Sequence, residues 1–264
     1  DFMGNVDIFN IAMGQFEYFI LIVIRITAIF FTAPILSSRN IPSIVKIAAA
    51  ALTGLIIFPV IDKTAAMPSD IMTFGLLVFK QVIMGVIVGL AAYMVFAAIQ
   101  LAGQIIDLQM GFGIVNVIDP VSNTQVSIMG KFQFVLGILI FLSINGHHFL
   151  FRAISDSFYL VPLNDVGVTT ATVNRLSDLF YNMFVLAFKI AGPATIALFL
   201  TNLTLGLVAR TLPQMNVFIV GLPLNILVGI SAVLIALPIL VNLFSTLLNT
   251  MWEDIYFIIR SMRV

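Results

Sequence analysis

The sequence contains no cysteine and only two histidines, His147 and His148. The absence of cysteine excludes disulfide bonds, thiolate metal sites and cysteine nucleophiles. The two histidines are adjacent, and neighbouring residues of a helix point about 100° apart, so they do not form a shared metal site unaided. We therefore expect no bound metal and no cofactor.

Charged residues are also scarce, because they make up 9% of the 264 residues. Soluble domains contain about 25% charged residues. Hydrophobic residues make up 61% of the chain, which predicts an integral membrane protein or a subunit buried in a membrane complex, in contact with lipid. The 12 basic and 12 acidic residues cancel, so we expect no nucleic-acid partner.

Motifs that carry enzyme chemistry are missing from the sequence. There is no Walker A pattern and no Gly-x-Ser-x-Gly nucleophile pattern. The pair Gly111-x-Gly113 is not a dinucleotide fingerprint, because position 116 is Asn rather than Gly. We therefore predict no enzymatic activity and no catalytic residues, which disfavours an intramembrane enzyme.

Long apolar runs predict an all-α fold of membrane helices and helical hairpins. The runs lie at residues 16–36, 42–59, 71–109, 126–144 and 147–163, and two long arms fill 171–259 around a break at 210–216. The third run would be about 58 Å long as one helix, nearly twice the bilayer core, so it either breaks or extends into an assembly. The prolines Pro193, Pro223 and Pro238 predict kinked arms.

A few charges interrupt these runs. Glu17 and Arg25 fall within the first run, where the favoured interpretation is an internal ion pair or a snorkelling side chain rather than a direct role in transport. Such charges need protein partners, so we expect the chain to be unstable without other subunits. The basic residues concerned are Arg25, Lys46, Lys80, Lys131 and Lys189.

The loop at residues 110–127 combines two properties that conflict. Its glycines and Asp119-Pro120 stop a continuous helix, yet most of its side chains are apolar and cannot lie free in water. A protein-lined conduit would cover such a loop, and apolar side chains could seal it by dewetting. We predict a channel plug formed by Met110, Gly111, Phe112, Gly113, Ile114, Val117, Ile118, Asp119 and Pro120; a rigid loop packed between helices is the alternative.

Three motifs in the chain resemble those of the FliR family. The first is Gly103-Gln-Ile-Ile-Asp-Leu-Gln-Met-Gly-Phe with Asp119-Pro120. The second is His147-His148 followed by Ser155-Asp-Ser-Phe-Tyr-Leu-Val-Pro162, and the most specific is Arg210-x-x-Pro-Gln-Met-Asn-Val-Phe-x-x-Gly221-x-Pro223. One departure is Gln81, where the family often has a glutamate.

The resemblance implies a structural and gating subunit of the flagellar type III protein-export channel. It implies FliP-like and FliQ-like partner subunits, unfolded flagellar proteins as cargo, and a place in the basal body at the bacterial inner membrane. Residues 1–165 would be FliP-like and would contain the channel loop, while residues 166–264 would form a FliQ-like hairpin. In that family the region of the predicted plug lies in the channel.

The tip of the hairpin, residues 210–218, is predicted to contact an FlhB-type switch protein. The contact residues would be Arg210, Pro213, Gln214, Met215, Asn216 and Phe218. Pro213 fixes the turn, while the amides of Gln214 and Asn216 can bond to a partner's backbone; a simple helix cap is the alternative. The alternative function for the whole chain is a small secondary transporter, although the two halves contain no repeat that we can trace.

Overall fold

The computed structural model of the chain describes residues 2–38, 40–61, 70–112, 127–212, 214 and 216–263. These ranges contain the helices α1 (Phe2–Thr32), α2 (Ser43–Ile57), α3 (Ile71–Met110), α4 (Ile128–Ser143), α5 (Gly146–Leu160), α6 (Thr170–Thr211) and α7 (Val217–Ser261). The same ranges contain no strand, only an isolated antiparallel bridge between Val166 and Arg263. The predicted all-α fold is therefore confirmed.

The helix boundaries follow local cap signals that the sequence contains. Asp70 precedes α3, and its carboxylate accepts a hydrogen bond from the backbone N–H of Thr73 at 3.2 Å, so Asp70 caps this helix. Pro42 precedes α2 with φ −55° and ψ 142°. Asn145 adopts the left-handed conformation, with φ 58°, between α4 and α5, as its short polar side chain permits.

The longest helices exceed the thickness of a bilayer. Helix α3 is unbroken over 40 residues, so of the two alternatives for this segment the structure contains the extended helix. Pro193 lies inside α6, and Pro223 and Pro238 lie inside α7, without ending either helix; the predicted kinks stay a prediction. By length and composition, four helices in the described part of the chain could cross a membrane, or five if α4 and α5 together form one span.

The described chain divides into two compact units. Unit 1 comprises Asp1–Tyr93, Asn145–Asp178 and Thr250–Val264, and unit 2 comprises Met94–Ile144 and Leu179–Asn249. Helices α1, α2 and α5 belong to unit 1, and α4 belongs to unit 2. These two units do not correspond to the predicted FliP-like part, residues 1–165, and FliQ-like part, residues 166–264. That predicted division stays a prediction.

One stripe of α1 supplies much of the core of unit 1. Its buried residues recur every three or four positions, as expected for the inward face of a helix. They are Tyr18, Leu21, Ile22, Arg25, Ile26, Ile29 and Phe30. This stripe therefore places a cation among apolar side chains.

Two glycines of α3 bring that helix into close contact with α1. A methyl group on Gly85 would lie 2.5 Å from the Cβ of Ala28 and 2.6 Å from the carbonyl oxygen of Arg25. A methyl group on Gly89 would overlap the hydroxyl of Thr32. Side chains larger than hydrogen would push the helices apart, so this Gly-x-x-x-Gly pair sets the α1–α3 distance.

Arg25 is fully buried and joins three parts of unit 1. Its Nε donates to the side-chain oxygen of Gln81 on α3 at 2.7 Å. Its Nη1 donates to the carbonyl oxygens of Ser157 and Val161, at 2.9 and 3.1 Å, at the C-terminal end of α5. The guanidinium also lies over the ring of Phe158, 4.4 Å from its centroid.

The partners of Arg25 explain how the charge is compensated without a carboxylate. The carbonyls at the end of a helix carry the negative end of the helix dipole. The carbonyl of Ser157 already accepts the N–H of Val161, whereas the carbonyl of Val161 lies beyond the last turn of α5. Arg25 supplies both a donor and a positive charge to that end of α5. Of the interpretations offered for this residue, an ion pair and a snorkelling side chain are both wrong for the part of the chain described, because Arg25 binds carbonyls and an amide instead.

We predict that Arg25→Met lowers the free energy of unfolding by about 3 kcal/mol, because it removes the Arg25 donor from the side-chain oxygen of Gln81 and from the carbonyl oxygen of Val161. The midpoint of thermal unfolding of the chain, purified in detergent together with the subunits that it needs, should fall by about 10 °C. Arg152→Met is the control, because that side chain is 73% exposed, and it should leave the midpoint nearly unchanged. Equal midpoints for both variants would contradict the role given to Arg25.

Candidate functional site: the base of the α3–α4 loop and the α6–α7 tip

The predicted plug begins within the described part of the chain and continues outside it. Met110 is the last residue of α3 and is fully buried, and Gly111 and Phe112 form the turn that follows. The other predicted plug residues lie outside the described residues: Gly113, Ile114, Val117, Ile118, Asp119 and Pro120. The role of the loop therefore stays a prediction, but its two ends can be analysed.

The first end of the loop is fixed by a Schellman motif at Gly111. Gly111 has φ 86°, a left-handed conformation that suits glycine because it has no Cβ. The N–H of Phe112 bonds to the carbonyl of Asp107 at 3.1 Å, and the N–H of Gly111 bonds to the carbonyl of Leu108 at 3.3 Å. Helix α3 therefore ends at a defined residue and turns the chain sharply there.

The second end of the loop is held to the first by Asp107. The carboxylate of Asp107 accepts the hydroxyl hydrogen bond of Ser127 at 2.5 Å and the backbone N–H of Met129 at 3.1 Å. Ser127 also caps α4, since its hydroxyl oxygen accepts from the N–H of Gly130 at 2.9 Å. The last turn of α3 and the first turn of α4 are thereby joined across 20 residues of sequence.

The carboxylate of Asp107 is electrostatically favourable only because it lies next to the N-terminus of α4. A carboxylate in the last turn of a helix meets the negative end of that helix's dipole, which is unfavourable by a few tenths to about 1 kcal/mol. The same carboxylate lies at the N-terminus of α4, where free N–H groups and the positive end of the dipole favour an anion. Asp107 belongs to α3 but accepts hydrogen bonds from the start of α4, and it therefore holds the two helices together.

Backbone contact between small residues reinforces this junction. A methyl group on Gly103 would overlap the backbone of Gly130, and one on Gly130 would lie 3.0 Å from the carbonyl oxygen of Gln100. Further along the pair, Phe96 packs edge-on against Phe134 and Phe141, with ring centroids 5.9 and 5.6 Å away. Residues earlier in α3 therefore meet residues later in α4, so the two helices run antiparallel from the loop.

Met110 anchors the same junction to α7. A methyl group on Gly229 would lie 2.6 Å from Cγ and 2.8 Å from Sδ of Met110, so only glycine leaves room for the methionine there. Methionine is flexible and fills irregular gaps of this kind. The base of the loop is thus packed on three helices of unit 2.

The α6–α7 tip lies at the surface of the described chain. Arg210, Gln214 and Asn216 are exposed, as a contact surface requires, and Phe218 lies in the first turn of α7. Pro213 and Met215 lie outside the described residues. The predicted partner contact stays a prediction.

The two helices below the tip are held together by polar and close apolar contacts. The amide of Asn225 donates to the side-chain oxygen of Asn202 at 2.8 Å. A methyl group on Gly221 would lie 3.3 Å from Cδ1 of Leu205. These contacts fix the antiparallel register of the hairpin near its tip.

Comparison with known proteins places the chain in a family. The sequence model for "Bacterial export proteins, family 1" matches residues 16–251, which is most of the chain. A flagellar biosynthetic protein FliR of Bacillus subtilis is 38% identical over 249 residues, covering 92% of this chain and 96% of the relative. The chain belongs to the FliR family of bacterial export proteins.

Other FliR proteins match over nearly their whole lengths. The FliR of Escherichia coli is 30% identical over 240 residues, covering 88% of this chain and 90% of the relative. The FliR of Aquifex aeolicus is 29% identical over 239 residues, covering 90% of this chain and 92% of the relative. The resemblance noted from three motifs is therefore confirmed along the chain.

Sequence reasoning about this FliR-family chain missed the residues at the base of the loop. Asp107, Ser127, Gly103 and Gly130 were read only as parts of an apolar stretch or a motif. Asp107 carried a usable signal, because it is the single charged residue of α3 after Lys80. Its partner could not have been inferred, since the contact joins residues 20 positions apart that no local sequence pattern connects.

We predict that cysteines at positions 107 and 127 form a disulfide, because the Asp107–Ser127 hydrogen bond shows that the two side chains are in contact. The chain has no other cysteine to compete. The double variant Asp107→Cys with Ser127→Cys should resist maleimide labelling until reductant is added. The control, Leu108→Cys with Ser127→Cys, should label without reductant, because Leu108 is 73% exposed; equal labelling of both would refute the junction.

Proposed function

We propose that this chain is a membrane subunit of the bacterial flagellar protein-export channel, through which unfolded flagellar proteins cross the inner membrane. The observation that carries the proposal is the match of the export-protein family to residues 16–251, together with FliR relatives that align from end to end. These relatives are flagellar biosynthetic proteins, so they give no support to the secondary-transporter alternative. On this proposal the chain performs no catalysis, and energy comes from other subunits.

The surface of the chain supports a place within a larger assembly. Helix α2 and the first turn of α3 expose large apolar side chains, including Ile44 at 77% and Ile71 at 87%. Contiguous apolar surface of this kind is covered by lipid or by protein in a functioning molecule. We infer that FliP-like and FliQ-like subunits cover part of it and that lipid covers the rest.

We also propose that the chain consists of two parts, each resembling one of these two kinds of partner subunit. Residues 1–165 would take the place of a FliP-like subunit, and residues 166–264, which contain α6 and α7, would take the place of a FliQ-like hairpin. The antiparallel contacts at Asn202 with Asn225 support the hairpin part of this proposal. The tip at residues 210–218 would then be the contact for an FlhB-type switch protein.

The function is tested by complementation and crosslinking. In a bacterium that lacks its own FliR, this chain should restore swimming and the secretion of flagellar proteins into the medium. It should co-purify in detergent with the other membrane export proteins. A photo-crosslinking residue at Gln214, which is exposed, should capture the FlhB-type protein. A chain that restores neither secretion nor co-purification would refute the proposal.

Within this function we propose that residues 110–127 plug the closed channel. Two observations support the idea. The loop is rich in apolar residues, and its base is fixed by the Gly111 turn and by the Asp107 junction. A fixed base lets the residues between the two ends occupy a conduit without loosening α3 or α4.

We predict that deleting residues 114–120 increases the leakage of ions through the assembled complex, because the apolar constriction is removed while Gly111, Asp107 and Ser127 are kept. Leakage is measured in cells that make the whole complex, with assembly checked by co-purification. An equal deletion in the α2–α3 connection, residues 62–68, is the control and should leave conductance unchanged. Unchanged conductance in a normally assembled loop variant would refute the plug.

A further inference from the structure

Helix α6 exposes a long stripe of apolar side chains that no part of the described chain covers. Within unit 2 the stripe runs from Tyr181 to Leu207, and the exposed fractions are 69% for Tyr181, 64% for Phe188 and 60% for Leu207. Its other large members are Phe184, Ile196, Phe199 and Leu203. These residues recur at intervals of three and four, except for one interval of eight between Phe188 and Ile196, so they all lie on one face of the helix.

A single charge, Lys189, lies on this face. It is the only charged residue between Asp178 and Arg210, and its side chain is exposed. Among the described residues it has no hydrogen bond and no ion pair. The stripe therefore presents an ammonium group amid aromatic and aliphatic side chains.

Lipid alone is a poor environment for this ammonium group. Lys189 is 11 residues from Asp178, about 16 Å along the helix. If Asp178 lies at one membrane surface, Lys189 lies near the middle of a hydrocarbon core about 30 Å thick. A cation at that depth is strongly unfavourable unless a protein group binds it.

The backbone carbonyl of Lys189 also lacks its usual hydrogen-bond donor. Pro193 lies inside α6 four residues later and has no N–H, so the carbonyl of Lys189 cannot receive the usual helical hydrogen bond. Gly192 lies between them on the same face, and a methyl group there would meet nothing within 4 Å. One short segment thus offers a donor, a free acceptor and a notch into which another helix can fit.

A second copy of this chain does not meet these requirements. The stripe contains no carboxylate between residues 179 and 209, and α7 contains none between 217 and 252. Pairing two such stripes would bring lysines together without a counter-ion. The charge must come from a different protein.

We propose that the Tyr181–Leu207 stripe binds a helix of another export subunit that presents a carboxylate to Lys189 and packs into the notch at Gly192. The inference rests on the proposed function, because it takes the partner to be a membrane subunit of the same assembly. The apolar side chains of the stripe provide contact area, and Lys189 selects the partner and its register by requiring a carboxylate at one position.

The test compares variants of Lys189 in cells that contain the whole export apparatus. Lys189→Met should lower the yield of the co-purified complex about tenfold, and Lys189→Glu should lower it further, because it places two carboxylates together. Lys189→Arg should restore the yield, since it keeps the charge. Swimming revertants of Lys189→Glu should carry an acidic-to-basic change in another export subunit.

Two further variants separate this inference from effects on folding and from the proposed function. Gly192→Leu should lower complex yield while leaving the amount of chain in the membrane unchanged, because the chain itself has room for the side chain. Arg152→Met, at an exposed position outside the stripe, should assemble normally.

The outcomes are distinct. A normal complex yield with Lys189→Met would mean that water or lipid headgroups solvate the lysine, and it would overturn the inference while leaving the proposed function intact. If the unaltered chain itself fails to co-purify with export subunits, the proposed function fails instead.

Discussion

The packing of unit 1 depends on one buried guanidinium. Arg25 is fully buried in a core of aliphatic and aromatic side chains, where a charge without partners would cost far more than a typical protein's margin of stability. Its hydrogen bonds go to Gln81 and to the carbonyls that end α5. These groups must therefore be placed before α1 can bury its inward stripe, and the register of three helices becomes linked. The glycines at 85 and 89 allow the approach that this arrangement requires.

Unit 2 contains a similar arrangement, but the charge that a helix end stabilises there is negative. Asp107 is placed in the last turn of α3, yet the groups that stabilise it belong to the first turn of α4. In both units a charge on one helix is matched by the end of another helix rather than by an oppositely charged side chain. Helix ends supply only partial charges, so they compensate an ion without introducing a second full charge into an apolar environment. This fits a chain that has few ionisable residues and long helices.

The outer surface of the chain is apolar, as expected for a protein that is covered by lipid and other subunits. A soluble protein would cover such helices with charged residues, whereas here α2, α3, α6 and α7 expose large apolar side chains over much of their length. Those surfaces suit lipid and neighbouring subunits, and membership of an export-protein family gives the neighbours a biological context. Lys189 is a charged residue on this apolar surface, and Arg25 is a charged residue in the apolar core. Arg25 has hydrogen-bond acceptors within the chain, whereas Lys189 has none among the described residues, and this difference is the basis for assigning Lys189 to an interface.

Composition, apolar run lengths and motifs were enough to predict the class of protein, the family and, apart from the early start of α1 at Phe2, the positions of the helices. Apolar run length, proline, glycine and cap residues act locally, so the six loops and breaks could be placed within a few residues, and the Arg210–Pro223 motif identified the family. Which charges find partners inside the chain depends on tertiary contacts. Arg25 pairs with residues 56 and more than 130 positions away, and Asp107 pairs across the loop. No local pattern encodes such partners, because a long helix offers several faces and the chosen face depends on how closely its neighbours can approach.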